Sequence, residues 1–166
     1  MEIWKSSKEE FIKALKSGEY YGIFEDAPEE FKQDKDVALV AVIMNPNDYA
    51  ELPEALKHDR DIILAAVREN GILLEEVPEA FKNDREIVMA AIENESGAFS
   101  YASEELRDDT DLAFSIIKRN AWMLEFASPR LQDNKDLVLI AVEDSGSTLQ
   151  FASERLKDDS EVVSVA

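Results

Sequence analysis

Pairs of acidic residues recur two or three positions apart and are the first candidates for chemistry. The clearest pairs are Asp34 with Asp36, Asp59 with Asp61, and Asp133 with Asp136. Two carboxylates at such spacing are found in calcium loops and in glycosidases. None of these pairs fits the calcium-loop pattern D-x-[DN]-x-[DN]-G-x₅-E, and the acids return throughout the chain with Lys or Arg between them. A helix cap is needed in every unit of a repeat, whereas a catalytic pair is needed once. We therefore predict helix caps, no metal site and no cofactor.

The single histidine, His58, belongs to a column of polar residues that returns every 25 positions. The other members are Gln33, Asn83, Asp108, Asp133 and Asp158. A polar capping role explains all of them. A Ser–His–Asp triad has only this histidine to use, and no G-x-S-x-G motif is present. The chain has no cysteine, and its five glycines form no phosphate-binding loop. We predict that the protein has no catalytic residue and is not an enzyme.

The charge of the chain limits its partners. It has 37 Asp and Glu against 18 Lys and Arg, a formal net charge of −19. This charge disfavours direct binding to nucleic acid or to anionic lipid and permits basic partners. No stretch approaches eighteen uncharged apolar residues, and the start, MEIWKSSKEEF, lacks the apolar region of a signal peptide. We expect no membrane association and a cytoplasmic location.

These residues lie in an internal repeat of 25 residues. VPEAFKNDREIVMAAIEN (77–94) closely repeats LPEALKHDRDIILAAVRE (52–69). A fixed period of this length indicates a solenoid or array, because one such unit cannot bury its apolar face alone. The repeating columns include Pro28, Pro53, Pro78, Ser103, Ser128 and Ser153, and six residues later Asp34, Asp59, Asp84, Asp109, Asn134 and Asp159.

The second half of each unit has the features of an α-helix, here called helix B. In residues 84–94, Asp84 can cap the helix, and Glu86 lies in the first turn, where the helix dipole favours an anion. The alanine column with Ala91 predicts that adjacent helices B approach closely, although Ile116 occupies it in one unit. We predict that three glycines, Gly71, Gly97 and Gly146, stand at the C-terminal turns after helix B.

The first half of each unit is predicted to be another helix, helix A, which ends before the Pro/Ser column. Its apolar stripe combines two columns three residues apart, exemplified by Leu74 and Val77. Proline breaks a continuous helix, so we predict a separate turn at PEAFK, of 3₁₀ type, before helix B. In later units Ser103, Ser128 and Ser153 are predicted N-caps.

The predicted fold is all-α, an α-solenoid of 25-residue helix–turn–helix repeats with an N-terminal capping helix. Residues 1–19 form the capping helix, with Ser7 and Glu10 as a capping box and Gly18 as its stop, and residues 20–166 form about six repeats, the last one truncated. The final helix, EVVSVA, has no cap of its own. Either the chain is a segment of a longer protein, or this end meets a partner, including end-to-end self-association.

The repeat resembles a bacterial family of tandem helical repeats known as domain of unknown function 4116. The segments that carry the resemblance best are NGILLEEVPEAFKNDREIVMAAI (70–92) and LQFASERLKDDSEVV (149–163), and it extends over about residues 20–166. The resemblance implies tandem helical repeats and supplies no catalytic or cofactor-binding residues. It also implies that delivery into a host cell as an effector is an open role.

One face of helix A is predicted to change from acidic to aromatic along the chain. By the 3.6-residue period, positions two and six before the Pro/Ser column lie opposite the core stripe. Exposed aromatic side chains near arginine are typical of interaction hot spots. The alternative is that Tyr101, Phe126 and Phe151 pack between successive helices, and Trp122 distinguishes the two because no other repeat has an aromatic residue there. The candidate partner surface comprises Tyr101, Trp122, Phe126, Arg130, Phe151 and Arg155.

Three functional classes follow. The first is a non-enzymatic scaffold for protein–protein interaction, with a protein partner. The second is an acidic nucleic-acid mimic that binds a basic protein. The third is the non-catalytic targeting part of a larger enzyme or of a secreted effector.

Overall fold

The computed structural model describes residues 7–18 and 24–166, and the regular elements in these ranges are all helices. The fold is all-α and is built from repeated helical units. The predicted boundary between residues 19 and 20 lies outside the described residues, as does Gly22 on the predicted helix A face.

Seven longer α-helices correspond to the capping helix and the predicted helices B. The capping helix begins after Ser7, whose hydroxyl accepts a bond from the Glu10 amide, and ends at Gly18 with φ of 66°. In each of the other six, the predicted Asp or Asn N-cap accepts backbone N–H bonds, as Asp84 does from Glu86 and Ile87. The helices are α1 (Lys8–Ser17), α2 (Lys35–Met44), α3 (Arg60–Glu69), α4 (Arg85–Asn94), α5 (Thr110–Ile117), α6 (Lys135–Asp144) and α7 (Ser160–Val165).

Helix A is a 3₁₀ helix, not a helix of 3.6-residue period. The copies in the described part of the chain are η1 (Pro46–Glu51), η2 (Gly71–Glu75), η3 (Ser96–Tyr101), η4 (Ala121–Phe126) and η5 (Gly146–Phe151). The predicted stripe at Leu74 and Val77 is buried. Apolar residues three apart share a face in either helix type, so the stripe was correct although the period was not.

The 3₁₀ type predicted for the segment after the Pro/Ser column is confirmed at PEAFK itself and is wrong for the other repeats. The segment is a four-residue α-helix in every described repeat except the third, where Glu79–Phe81 is 3₁₀. The serine caps are confirmed, since Ser103 accepts a bond from the Leu106 amide and Ser128 from the Leu131 amide. The α-helical copies are Glu29–Lys32, Glu54–Lys57, Glu104–Arg107, Pro129–Gln132 and Glu154–Lys157.

The long helices lie side by side and place their small column at the contact. Ala41, Ala66, Ala91 and Ala141 are fully buried. Each long helix from α1 to α4 packs closely against the next, whereas α4 and α5 approach each other at few points. Ile116 of α5 replaces alanine in this column.

The prediction of C-terminal glycine caps for helices B is wrong. α3 ends at Asn70 in extended conformation, and Gly71 starts η2 without a positive φ. A Cβ on Gly71 would lie 2.2 Å from the Ala91 carbonyl oxygen of α4. Glycine is needed here because two backbones touch, and the turn itself does not require it.

Candidate interaction surface

The 3₁₀ helices η2, η3, η4 and η5 pack side by side and form a continuous surface. Because a 3₁₀ helix repeats every three residues, its second and fifth positions share one edge, which is exposed in every copy but η3, where both residues are half-buried. We call this edge the 3₁₀ ridge. From η1 to η5 its residues are Asn47 and Ala50, Ile72 and Glu75, Gly97 and Ser100, Trp122 and Glu125, and Ser147 and Gln150.

Among the ridge residues defined above, Trp122 is the aromatic one. Its exposed fraction is 45%, although its neighbours Ala121 and Met123 are buried. Its ring lies edge-on to that of Phe151 in η5, with centroids 5.6 Å apart and an interplanar angle of 70°. The contact restrains the indole ring while leaving much of it in solvent.

The other three candidate aromatic residues are half-buried. Tyr101, Phe126 and Phe151 close their 3₁₀ helices and pack against the core. The Tyr101 hydroxyl is hydrogen-bonded to the Glu75 carboxylate, and this bond raises the pKa of Tyr101 above its ordinary value. These three therefore form a partly covered floor next to the ridge.

The two candidate arginines lie away from the ridge and are engaged between repeats. Arg130 donates through Nε to Asp108 at 2.9 Å, and Arg155 donates through Nε to Asp133 at 3.0 Å. The Ser128 hydroxyl also donates to Asp108, and these two donors hold the pKa of Asp108 below its usual range. The structure therefore brings Trp122 and Phe151 together, and it ties both arginines to the preceding repeat.

Two of the acid pairs that opened the sequence question, Asp34 with Asp36 and Asp59 with Asp61, are held by cations of the preceding unit, Lys8 and Lys35. Asp133 of the third pair instead accepts from Arg155 of the following repeat. Arg60 of α3 donates to Asp84 at 2.8 Å and to Glu86 at 2.6 Å. The bond from Arg60 keeps the pKa of Asp84 low. Equivalent pairs are Lys8 with Asp34, Lys35 with Asp59, Arg85 with Asp109, and Lys135 with Asp159.

We call this series of ion pairs between successive units the ion-pair ladder. At one junction of the ladder both partners are replaced. Thr110 stands where α1 to α4 and α6 begin with Lys or Arg, and the N-cap of the following long helix is Asn134 in place of aspartate. A cation and its acid are thus replaced by two neutral residues at the same junction. The acids serve as caps and inter-repeat ties, as their repetition predicted.

A shallow groove of about 500 Å³ lies beside the helix Glu104–Arg107. Its walls carry charges of both signs, from Glu104, Glu105, Arg107 and Asp108. The described ranges contain no group of three or more acid or histidine side chains placed to hold a metal ion. None of the helices in the described part is long and apolar enough to cross a membrane.

A family model matches this chain four times in tandem. The model is Domain of unknown function (DUF4116), and it matches residues 59–107, 84–132, 109–157 and 134–166. Together the matches cover about two thirds of the sequence. The chain belongs to this family.

The family matches follow the structural period. Each begins at an N-cap of a long helix, at Asp59, Asp84, Asp109 and Asn134, and each of the first three spans two repeats. The structure shows the same elements before residue 59, in α2, η1 and the helix Glu54–Lys57, outside the matched range. No curated protein and no solved structure matches this chain.

Sequence reasoning missed part of the ridge. It placed Ile72 and Trp122 on this face and singled out Trp122, because no other repeat has an aromatic residue there, but it did not place the fifth positions Glu75 and Glu125 on it. The 3.6-residue period placed the aromatic column of Tyr101 on the exposed face, whereas the 3₁₀ period places Glu125 there. The signal available in the sequence was that polar or variable residues stand between buried positions in these helices.

Proposed function

We propose that this chain is a non-enzymatic scaffold that binds a protein partner through its 3₁₀ ridge. The observation that carries the proposal is Trp122, a large aromatic side chain that is 45% exposed and held in place by Phe151. Exposed tryptophan next to a partly buried aromatic floor is typical of binding hot spots.

The ion-pair ladder supports a scaffold over an enzyme or a nucleic-acid mimic. The N-cap acids Asp84 and Asp159 are paired with Arg60 and Lys135, and the same carboxylates also bind helix amides. Carboxylates used in this way are less available to present a DNA-like charge array or to act as an acid–base pair. We accordingly propose that the partner is a protein, and that neither nucleic acid nor membrane is bound directly.

The location and the wider context are parts of the same proposal. A cysteine-free chain requires no oxidising compartment, which is compatible with the cytoplasm. A targeting role within a larger enzyme or effector also fits a binding module. Sequencing the complete reading frame tests this role, because a catalytic domain beside the repeats is what it requires.

Trp122→Ala tests the proposed function directly. The variant and the parent chain are immobilised and used to capture proteins from a lysate of the source organism, and their thermal unfolding is compared. We expect the variant to lose a partner that the parent retains, at a stability cost of about 1 kcal/mol or less from the lost ring contact. Unaltered capture with a loss of several degrees in melting temperature would make Trp122 a packing residue and refute the proposal.

Ile43→Ala is the matched control, because Ile43 is 48% exposed but lies at the end of α2. Its capture profile is expected to equal that of the parent. An equal loss of partner in both variants would show a general effect of removing exposed apolar area.

A second proposal concerns self-association through α7. Val162 is buried, whereas Val163 and Val165 of this short helix are 49% and 39% exposed. Sedimentation equilibrium of the parent and of the Val163→Lys variant tests it. We expect a concentration-dependent dimer that the variant lacks, and a monomeric parent at all concentrations would exclude it.

A further inference from the structure

The 3₁₀ ridge carries the same kind of side-chain pair, a large apolar residue with a carboxylate, in two of its helices. In η2 the exposed positions are Ile72 and Glu75, and in η4 they are Trp122 and Glu125. Each pair places a large apolar side chain three residues before a carboxylate, on the same edge of a 3₁₀ helix. The helix between them, η3, has Gly97 and Ser100 at these positions.

We propose that the ridge binds a single extended segment of a partner protein in which a Lys or Arg accompanies a large apolar residue twice. This inference rests on the proposed function and adds the chemistry of the partner. Trp122 with Phe151, and Ile72, contact the two apolar residues, and Glu125 and Glu75 contact the two cations.

The negative charge of the ridge favours Lys or Arg in the partner segment. Of the four carboxylates in η1 to η5, those of Asp48, Glu51, Glu75 and Glu125, only Glu75 and Glu125 lie on the ridge, and these helices contain neither lysine nor arginine. Glu75 and Glu125 form no ion pair with any described residue, in contrast to the N-cap acids of the ladder. Two exposed carboxylates without a cation of their own, each beside an apolar side chain, are complementary to a basic and apolar segment.

The spacing of the two pairs sets the length of the segment. They are two repeats apart, and helices pack about 8–10 Å from each other, which gives a separation of about 20 Å. An extended chain covers about 3.3 Å per residue, so the two apolar residues of the partner are about six residues apart.

Gly97 keeps the path between the pairs open. A Cβ placed on Gly97 would meet only the Glu95 side chain, 3.9 Å away, so a side chain there would project outward from the ridge. With glycine the backbone of η3 is bare between Ile72 and Trp122, and a partner segment can lie directly on it.

A phage-displayed library of random dodecapeptides, selected on the whole chain and depleted on the Trp122→Ala variant, tests the inference. Enriched peptides are synthesised, and their dissociation constants are measured at low and high salt. We expect them to contain two apolar residues about six apart, each beside Lys or Arg. Trp122→Ala is expected to weaken binding about tenfold or more.

Charge variants provide the matched comparison. Glu75→Gln with Glu125→Gln is expected to weaken binding about three- to tenfold and to reduce its salt dependence. Glu104→Gln, which removes an exposed carboxylate from a short helix away from the ridge, is expected to leave the dissociation constant unchanged. Gly97→Leu is expected to weaken binding several-fold without lowering the melting temperature, and unchanged binding would overturn the single-segment arrangement.

The outcomes separate this inference from the proposed function. Peptides that require Trp122 but lack basic residues would overturn the inference and leave the ridge as a binding surface. Failure to enrich any Trp122-dependent peptide would overturn the inference as well. The proposed function fails if the Trp122→Ala chain captures the same proteins as the parent.

Discussion

The distance to the neighbouring backbone determines which residues fit at a given position of this repeat. Gly71 and Gly97 both lie at the start of a 3₁₀ helix, but only Gly71 is in contact with the next long helix. Close backbone packing therefore requires glycine at position 71 and does not require it at position 97.

Gly71→Ala and Gly97→Ala form a matched pair of stability variants. We expect Gly71→Ala to cost about 1–3 kcal/mol, because its Cβ would be forced against the Ala91 carbonyl. Gly97→Ala should be neutral or stabilise the fold by about 0.4–1 kcal/mol, because it restricts the unfolded chain without a clash. Urea unfolding measures both, and equal effects would contradict the close backbone contact.

The alanine column is tested by Ala91→Leu. Ala91 is a fully buried residue of α4, which packs against α3 and η2, so a larger side chain should overpack the junction and cost about 1–3 kcal/mol. Ala80→Leu, at an exposed position of the third short helix, is the control and should change stability by less than about 0.5 kcal/mol. An unchanged unfolding midpoint for Ala91→Leu would reject close packing at this column.

Asp48 is a buried acid in a column that is otherwise apolar or neutral. It is 8% exposed, accepts a bond from the Asn45 amide nitrogen, and corresponds to Leu73, Ala98 and Thr148 in other repeats. Burial raises its pKa to about 6 from 3.8. The folded chain therefore holds a proton that the unfolded chain releases between these pH values, and the carboxylate destabilises the fold most fully above pH 6.

Asp48→Thr should stabilise the protein in a pH-dependent manner. Thr148 shows that threonine fits this column and donates its hydroxyl to a backbone carbonyl. The gain over the parent should be small near pH 4 and rise to about 1–3 kcal/mol above pH 6. Urea unfolding from pH 4 to pH 8 measures it, and a gain independent of pH would show that Asp48 carries no shifted pKa.

At the scale of elements, the long helices could be predicted and the 3₁₀ helices could not. Acids at N-caps such as Asp84, followed by an alanine-rich apolar run, determine an α-helix from local interactions. The stripe formed by Leu74 and Val77 fits either helical period, and the choice between them depends on packing against the long helices. For the same reason Trp122 could be predicted as exceptional, whereas the exposure of Glu125 could not.

A side-chain contact also joins the short-helix segments of successive repeats, and its two residues change together from one junction to the next. Asn83 donates to Glu105 at 2.8 Å, whereas at the two following junctions Asp108 and Asp133 accept from Arg130 and Arg155. An amide paired with an acid is thus replaced by an acid paired with an arginine. The junction depends on the pair, not on either residue alone.

Asn83→Asp and Glu105→Arg test this dependence in a double-mutant cycle. Asn83→Asp alone places two carboxylates together and should cost about 0.5–1 kcal/mol at low salt. Adding Glu105→Arg should recover that loss, because it recreates the arrangement of Asp108 with Arg130. Additive effects of the two substitutions in urea unfolding would show that the residues do not interact.

At the scale of the whole molecule, stability passes between neighbouring repeats. α3 packs against both α2 and α4, whereas α7 packs against α6 and its own short helix. Helices with one neighbour open at lower free energy than helices with two. We expect amides of α7 to exchange hydrogen faster than those of α3 in a monomeric sample, and equal protection would contradict nearest-neighbour coupling.

The central claim is that partners meet the 3₁₀ ridge. The photoreactive residue p-benzoylphenylalanine, placed singly at Ile72, Trp122, Ile43 or Glu104, tests it by cross-linking in lysate of the source organism. The account predicts partner adducts from positions 72 and 122 and none from 43 or 104. Adducts from 43 or 104 without any from 72 and 122 would contradict it.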